Sequence, residues 1–180
     1  TNIKKTLGSS YSRFVSMLTG DQDVFILTSY LKPWDELQLC QRFGQVPQFS
    51  NLVPTIRVSV DKSQRQWVVA GKSGSDFEVC ARSLIPQQIP TAYLEGYDQL
   101  IEQVMSSPWP RQPKLIWTSN SHISYDVFKA WTAEKVECGS PLVIGQHGGH
   151  YGIGRWSYHE EHEVAISDCY LSWGWSEPDQ

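Results

Sequence analysis

Across residues 114–175 the chain alternates at short, regular intervals between apolar runs and amphipathic stretches: "LIWTSN", "YDVFKAWTAEKVEC", "PLVIGQ", "SYHEEHEVAIS" and "CYLSWGW". The first, third and fifth read as strands, and the second and fourth as helices. Ser124 or Asp126 is placed to cap the first helix and Gly139 to end it. Each helix is long enough to serve as a crossover, so the three strands belong to a parallel sheet covered by helices on both faces. The pattern therefore implies an α/β fold. In such sheets ligands bind beyond the carboxyl ends of the strands.

Upstream the same grammar opens once more. "DVFILTSYL" (23–31) suits a buried strand, and Pro33 can occupy the first turn of a helix over "WDELQLCQRFG", with Gly44 as its stop. Residues 46–90 differ: two β-rich pieces, "TIRVSV" and "QWVVAG", flank the turn-prone "DKSQR". They predict a β-hairpin insertion, followed by a loop around 73–76. A helix over "AYLEGYDQLIEQVMS" then presents Tyr93, Leu94, Tyr97, Leu100, Ile101, Val104 and Met105 as one face.

Composition narrows the function classes. At 180 residues, 40% hydrophobic and 19% charged, the chain has enough apolar content for one cored domain. A net charge of −4 argues against a nucleic-acid partner, which calls for a basic face. No apolar run approaches the roughly 18 to 20 residues of a membrane span, and "TNIKKTLGSS" lacks a secretory core, so a cytoplasmic protein with no transmembrane segment is expected. Cys40, Cys80, Cys138 and Cys169 form no CxxC pair and are expected to be buried free thiols. The absence of an initiator methionine, and an ending just after a strand, suggest a piece of a longer protein.

Chemistry concentrates in "QHGGHYGIGRWSYHEEHE" (146–163), which holds four of the five histidines. His159 and His162 would share a helical face, but "HEEHE" is neither HExxH nor HxxEH, so a zinc site would need His147 or His150 as well. A solvated helix face is the simpler reading. The glycines fit neither GxGxxG nor GxxxxGK[ST], although a glycine loop entering a helix suits an anion. No GxSxG elbow is present, and Cys169 reads as core. His147, just past a strand end and beside glycines, is the candidate general base. Glu160, Glu163 or Asp168 could orient it. Trp173 and Trp175 alternate about Gly174 and would share one strand face, for core packing or for stacking on a sugar.

The run "GQHGGHYGIGRWSYHEEHEVAISDCYLSWGW", with "PKLIWTSNSHISYDVFKAWTAEKVECGSPLVIG" before it, resembles transferases of bacterial O-antigen and surface-polysaccharide gene regions. Those are similar in arrangement to GT-B glycosyltransferases and to teichoic-acid glycerophosphotransferases. The resemblance implies a Rossmann-like parallel sheet with helices on both faces, one half of a two-domain GT-B-type enzyme with its C-terminal domain missing here. Gln146, His147, Gly148, Gly149, Tyr151 and Gly152 match the family's loop, Glu160 and Glu163 its acidic helix, and Asp168, Trp173, Gly174 and Trp175 its closing strand. His150 departs from the small residue expected there.

By that resemblance His147, Glu160 and Asp168 are catalytic, and Gln146, Gly148, Gly149, Tyr151, Gly152, Glu163, Trp173 and Trp175 contact substrate. The partners implied are an acceptor glycan and a nucleotide-sugar donor; no cofactor is expected on this piece alone. A second copy could dock on the domain interface exposed by the missing half. A carbohydrate- or partner-binding module without catalysis and a metal-dependent hydrolase are the competing classes.

Overall fold

The structure, a computed structural model, describes residues 18–47, 55–72 and 74–176. Its centre is a four-stranded sheet: β1 (Phe25–Leu27), β2 (Ile116–Thr118), β3 (Leu142–Gly145) and β4 (Cys169–Leu171). All neighbours pair in parallel in the order β1-β2-β3-β4. The chain is thus an α/β protein with a Rossmann-like sheet. The carboxyl ends of all four strands share one edge.

Register sorts the side chains onto two faces, because successive residues of a strand point oppositely. Phe25, Ile116 and Leu142 align on one face, with Leu27, Thr118 and Ile144 one step on. This face carries the larger core. Helix α3 (Tyr97–Met105) contributes Leu100 and Val104, and helix α5 (Asp126–Glu137) contributes Val127, Phe128 and Trp131. Phe25 sits at its middle, 4.7 Å from the Trp131 ring and 5.1 Å from that of Trp109.

The other face is covered less evenly. Helix α1 (Pro33–Arg42) lays Leu39 and Cys40 over Val24, Ile26, Leu115 and Trp117. Farther along the sheet, Cys169 and Leu171 of β4 are exposed. Cys169 therefore lies in a strand but not in the core. Cys80 and Cys138 are exposed as well, leaving Cys40 as the buried thiol.

The predicted hairpin does not form. Residues 55–61 and 66–72 run without strand pairing. Between them, a 3₁₀ turn at Lys62–Arg65 is capped by the Asp61 carboxylate, which accepts from Ser63 N–H at 2.9 Å. A hairpin would leave Val60, Trp67 and Val68 on a ribbon with no layer to pack against, and they stay exposed. What fixes the segment is polar. Arg65, only 3% exposed, makes paired hydrogen bonds from Nε and Nη2 to Glu95 and a third from Nη1 to the Pro86 carbonyl. Of the loop expected around 73–76, Ser73 lies outside the described residues, Gly74 and Ser75 are irregular, and Asp76 already starts helix α2 (Asp76–Gln88), nucleated by a capping box: Ser75 N–H donates to Glu78 Oε2, and Ser75 Oγ accepts from Glu78 N–H.

Helix α3 is also shorter than the pattern predicts. Residues Thr91–Tyr93 form a 3₁₀ turn, and Tyr97 and Met105 stay exposed while Leu100 and Val104 are buried. Helix α4 (Ser121–Ser124) and helix α6 (Tyr158–Ile166, capped by Ser157) are further helices among the described residues. Among the described residues no helix is long and apolar enough to cross a membrane.

Candidate active site

Four loops meet at the carboxyl edge of the sheet. The first, after β1, contains two non-glycine residues in the left-handed region, Thr28 at φ 55° and Tyr30 at φ 61°. A β-branched residue there is a genuine outlier, and each such position costs on the order of 1–3 kcal/mol. Neighbouring loops hold it in place: Ser119 N–H donates to the Thr28 carbonyl at 3.0 Å, Ser121 Oγ to Thr28 Oγ1 at 3.0 Å, and Asn120 Nδ2 to the Tyr30 hydroxyl at 2.7 Å. The Tyr30 ring consequently lies nearly parallel to the His147 imidazole, at 11°, with centroids 6.3 Å apart.

His147 is the second residue past β3. Its side chain is 19% exposed, so one edge reaches solvent while the other faces the protein. Behind it lies Glu163 of α6, whose side chain is wholly buried. Glu163 Oε1 is 3.6 Å from His147 Nδ1, a charge contact rather than a hydrogen bond, and accepts from the Tyr151 hydroxyl at 3.1 Å. Oε2 accepts from Tyr170 at 3.4 Å. His122 Nε2 completes the group at 3.4 Å from Oε1. His147 Nε2 is 3.4 Å from the Tyr151 hydroxyl, whose proton goes to Glu163.

The electrostatics follow from this packing. Burial pushes the His147 imidazole below its ordinary value of 6.5; Glu163 opposes that shift, His122 and His159 reinforce it, and the Ser119 backbone partly offsets it. His147 is therefore a neutral imidazole at neutral pH. Burial, and then the Glu163 charge, hold the Tyr151 and Tyr170 hydroxyls well above their usual range, so both remain protonated donors.

Several other predicted residues tie the surrounding loops together. Gln146 is 5% exposed, and its amide oxygen accepts from Trp173 N–H at 2.8 Å and Trp175 Nε1 at 3.0 Å, while its Nε2 donates to the Gly148 carbonyl. It ties the β3 loop to the β4 loop. Gly148 leaves room for the Tyr151 ring, which a Cβ would meet at 2.8 Å, whereas Gly149 faces open space. Gly152, at φ +74°, donates its N–H to Glu160 Oε2 at 2.7 Å and lies against Trp175, 2.7 Å from where a Cβ would sit. Glu160 thus anchors the glycine loop. His150 is exposed beside the Tyr151 ring.

Two expectations need correction. Asp168 is at the amino-terminal edge of the sheet, where its carboxylate accepts from Leu142 N–H at 2.7 Å and its N–H donates to the Leu142 carbonyl. The length of β3, about 3.3 Å per residue, separates it from His147 by about 10 Å or more. Trp173 and Trp175 do not share a strand face, because β4 ends at Leu171 and Gly174 adopts φ +108°. Trp173 is 66% exposed, whereas Trp175 packs on Tyr170 with centroids 5.7 Å apart.

His122, Tyr170 and Tyr30 escaped the sequence reading. A signal for His122 existed: "TSNSHIS" follows β2 as "GQHGGH" follows β3, and parallel strands bring equivalent ends together. On the helix, His162 is exposed and His159 half-buried. Among the described residues no group of three or more His, Cys, Asp or Glu side chains is arranged to hold a metal ion. A groove of about 550 Å³ lined by Val164, Asp168, Cys169, Tyr170, Ser172 and Trp175 includes neither His147 nor Glu163 in its lining and shares Tyr170 with this cluster.

No curated protein and no solved structure matches the chain. One family does, under the description LIC12162 family transferase, over residues 1–180. A buried carboxylate backing a neutral, partly accessible histidine at the ligand-binding edge of an α/β sheet is thus the candidate site of a chain that belongs to the LIC12162 transferase family.

Proposed function

We propose that this chain is one half of a GT-B-type glycosyltransferase that builds bacterial surface polysaccharide of the O-antigen or lipopolysaccharide type. Its substrates are a nucleotide sugar and an acceptor glycan, and the nucleotide binds mainly on the second half. The observation that carries the reading is His147: an imidazole at a strand end, neutral at working pH, accessible on one edge and backed by Glu163, in a member of a transferase family.

The reaction is a direct displacement. The acceptor hydroxyl gives its proton to His147 while its oxygen bonds to the anomeric carbon; the bond from that carbon to the diphosphate breaks, and the nucleoside diphosphate leaves with the electron pair. Glu163 stabilises the imidazolium that forms. Its 3.6 Å separation from Nδ1 is loose, as catalytic contacts commonly are before substrate binds. Gly149 offers open backbone, and Tyr30 a fixed aromatic face, beside the base.

The test uses the complete gene product, incubated with radiolabelled nucleotide sugars and lipid-linked or soluble glycan acceptors. His147→Ala is expected to lower transfer by about 10²- to 10⁴-fold, the usual contribution of a general base. Undiminished transfer would remove His147 from the role. The exposure of Trp173 favours a second reading, a carbohydrate-binding module without catalysis. Glycan binding that survives His147→Ala and disappears in Trp173→Ala, with no transfer, would select it.

A further inference from the structure

Glu163 serves two imidazoles. Its Oε1 lies 3.6 Å from His147 Nδ1 on one side and 3.4 Å from His122 Nε2 on the other. The His122 side chain is 6% exposed, and neither of its ring nitrogens has a hydrogen-bond partner in the structure, so Glu163 is the charged group that makes a buried imidazole tolerable there. One carboxylate supplies one negative charge. Two imidazolium ions flanking it would leave a net positive charge in a buried pocket, which burial strongly disfavours.

We propose that His122 is a positioning residue for His147: by sharing the Glu163 carboxylate it limits how strongly that charge favours the His147 imidazolium, leaving His147 ready to receive a proton. This rests on the reading of His147 as the general base and adds the residue that sets its protonation state.

The surrounding groups leave the role to these three side chains. His147 is faced by Glu163 and His159 from α6, by His122 from α4, by Tyr151 from its own loop, by Tyr30 from the β1 loop and by the Ser119 backbone from the β2 loop. Glu163 is faced by the two histidines, Tyr151 and Tyr170. His122 is faced by Glu163 and by the His162 ring, 6.4 Å away. Both tyrosines are held in their neutral form, so neither competes with the imidazoles for the carboxylate charge.

The experiment is a pH titration of this chain by histidine-selective ¹⁵N NMR, comparing wild type with His122→Phe, which keeps a ring and removes the nitrogen that faces Glu163. With His122 gone, Glu163 is left to His147 alone, and the His147 midpoint is expected to rise by about one pH unit. A midpoint that stays put or falls in a folded variant overturns the proposal. Amide dispersion reports folding; if His122→Phe does not fold, His122→Gln is read by the same criterion. A residue with a merely structural role would not move this titration. Because no substrate is needed, the outcome is separate from the His147→Ala transfer assay: an unmoved titration refutes the role of His122, and retained transfer refutes the base.

Discussion

Glu163→Gln isolates the charge behind the candidate base. The amide keeps the size of the carboxylate; its oxygen can still accept from one of the Tyr151 and Tyr170 hydroxyls, now 3.1 and 3.4 Å from the two carboxylate oxygens, while its NH₂ donates to the oxygen of the other. What disappears is a negative charge 3.6 Å from His147 Nδ1. At that separation unit charges interact by about 4–5 kcal/mol for an effective dielectric near 20. His122 takes part of the carboxylate's field, and solvent reaches one edge of His147, so a realistic loss is about 1.5–3 kcal/mol, or one to two pH units. The sign is definite: without the carboxylate the imidazolium is less stable, so His147 titrates at still lower pH. Histidine-selective NMR measures that shift directly. In the transfer assay the acid limb should move down by the same amount, while the plateau drops because a weaker base drives proton transfer less well. A His147 titration that is unchanged or moved upward would refute the assignment of Glu163 as its counter-charge.

Three other perturbations separate scaffold from site. Gly152→Ala puts a Cβ at φ +74° and 2.7 Å from the Trp175 ring, and is expected to cost about 1–3 kcal/mol in urea unfolding, with detachment of the loop from Glu160. Asp168→Ala orphans the Leu142 N–H and should cost about 1–3 kcal/mol, yet leave the His147 titration where it is; a shift would put Asp168 back in the cluster. The Glu95 carboxyl is held down to about 2, chiefly by hydrogen bonds from Arg65, so the stability contributed by that pair is present above its ordinary 4.5 and is lost as pH falls toward 2. Arg65→Met should flatten that part of an acid-unfolding curve; an unchanged profile would count against the linkage.

The α/β architecture was legible because "FIL", "IWT" and "LVIG" are short apolar runs separated by helix-length spacers, and nothing but a parallel sheet accommodates them. The stretch around residues 55–72 was misread because β-rich composition reports how well a segment would suit a sheet, not whether a sheet is there to receive it. The capping box at Ser75 and Glu78 was the better local signal. The site was half legible. His147 stood out by its position after a strand, but which carboxylate backs it depended on how α6 packs: Glu163 turns inward, Glu160 turns to the glycine loop, and Asp168 goes with the start of β4 to the far edge. His122 lies 25 positions from His147 in the chain and meets it only through the pairing of β2 with β3.

The central claim is that His147 works as a neutral base at the strand-end cluster. Its most direct test is the pH dependence of kcat/KM for sugar transfer by the complete protein, set beside the NMR titration of His147. One acid limb is expected, with activity rising as pH rises through a midpoint below 6.5 that coincides with the His147 titration. A profile with no acid limb, or one whose midpoint lies clearly above 6.5 and apart from the His147 titration, would contradict it.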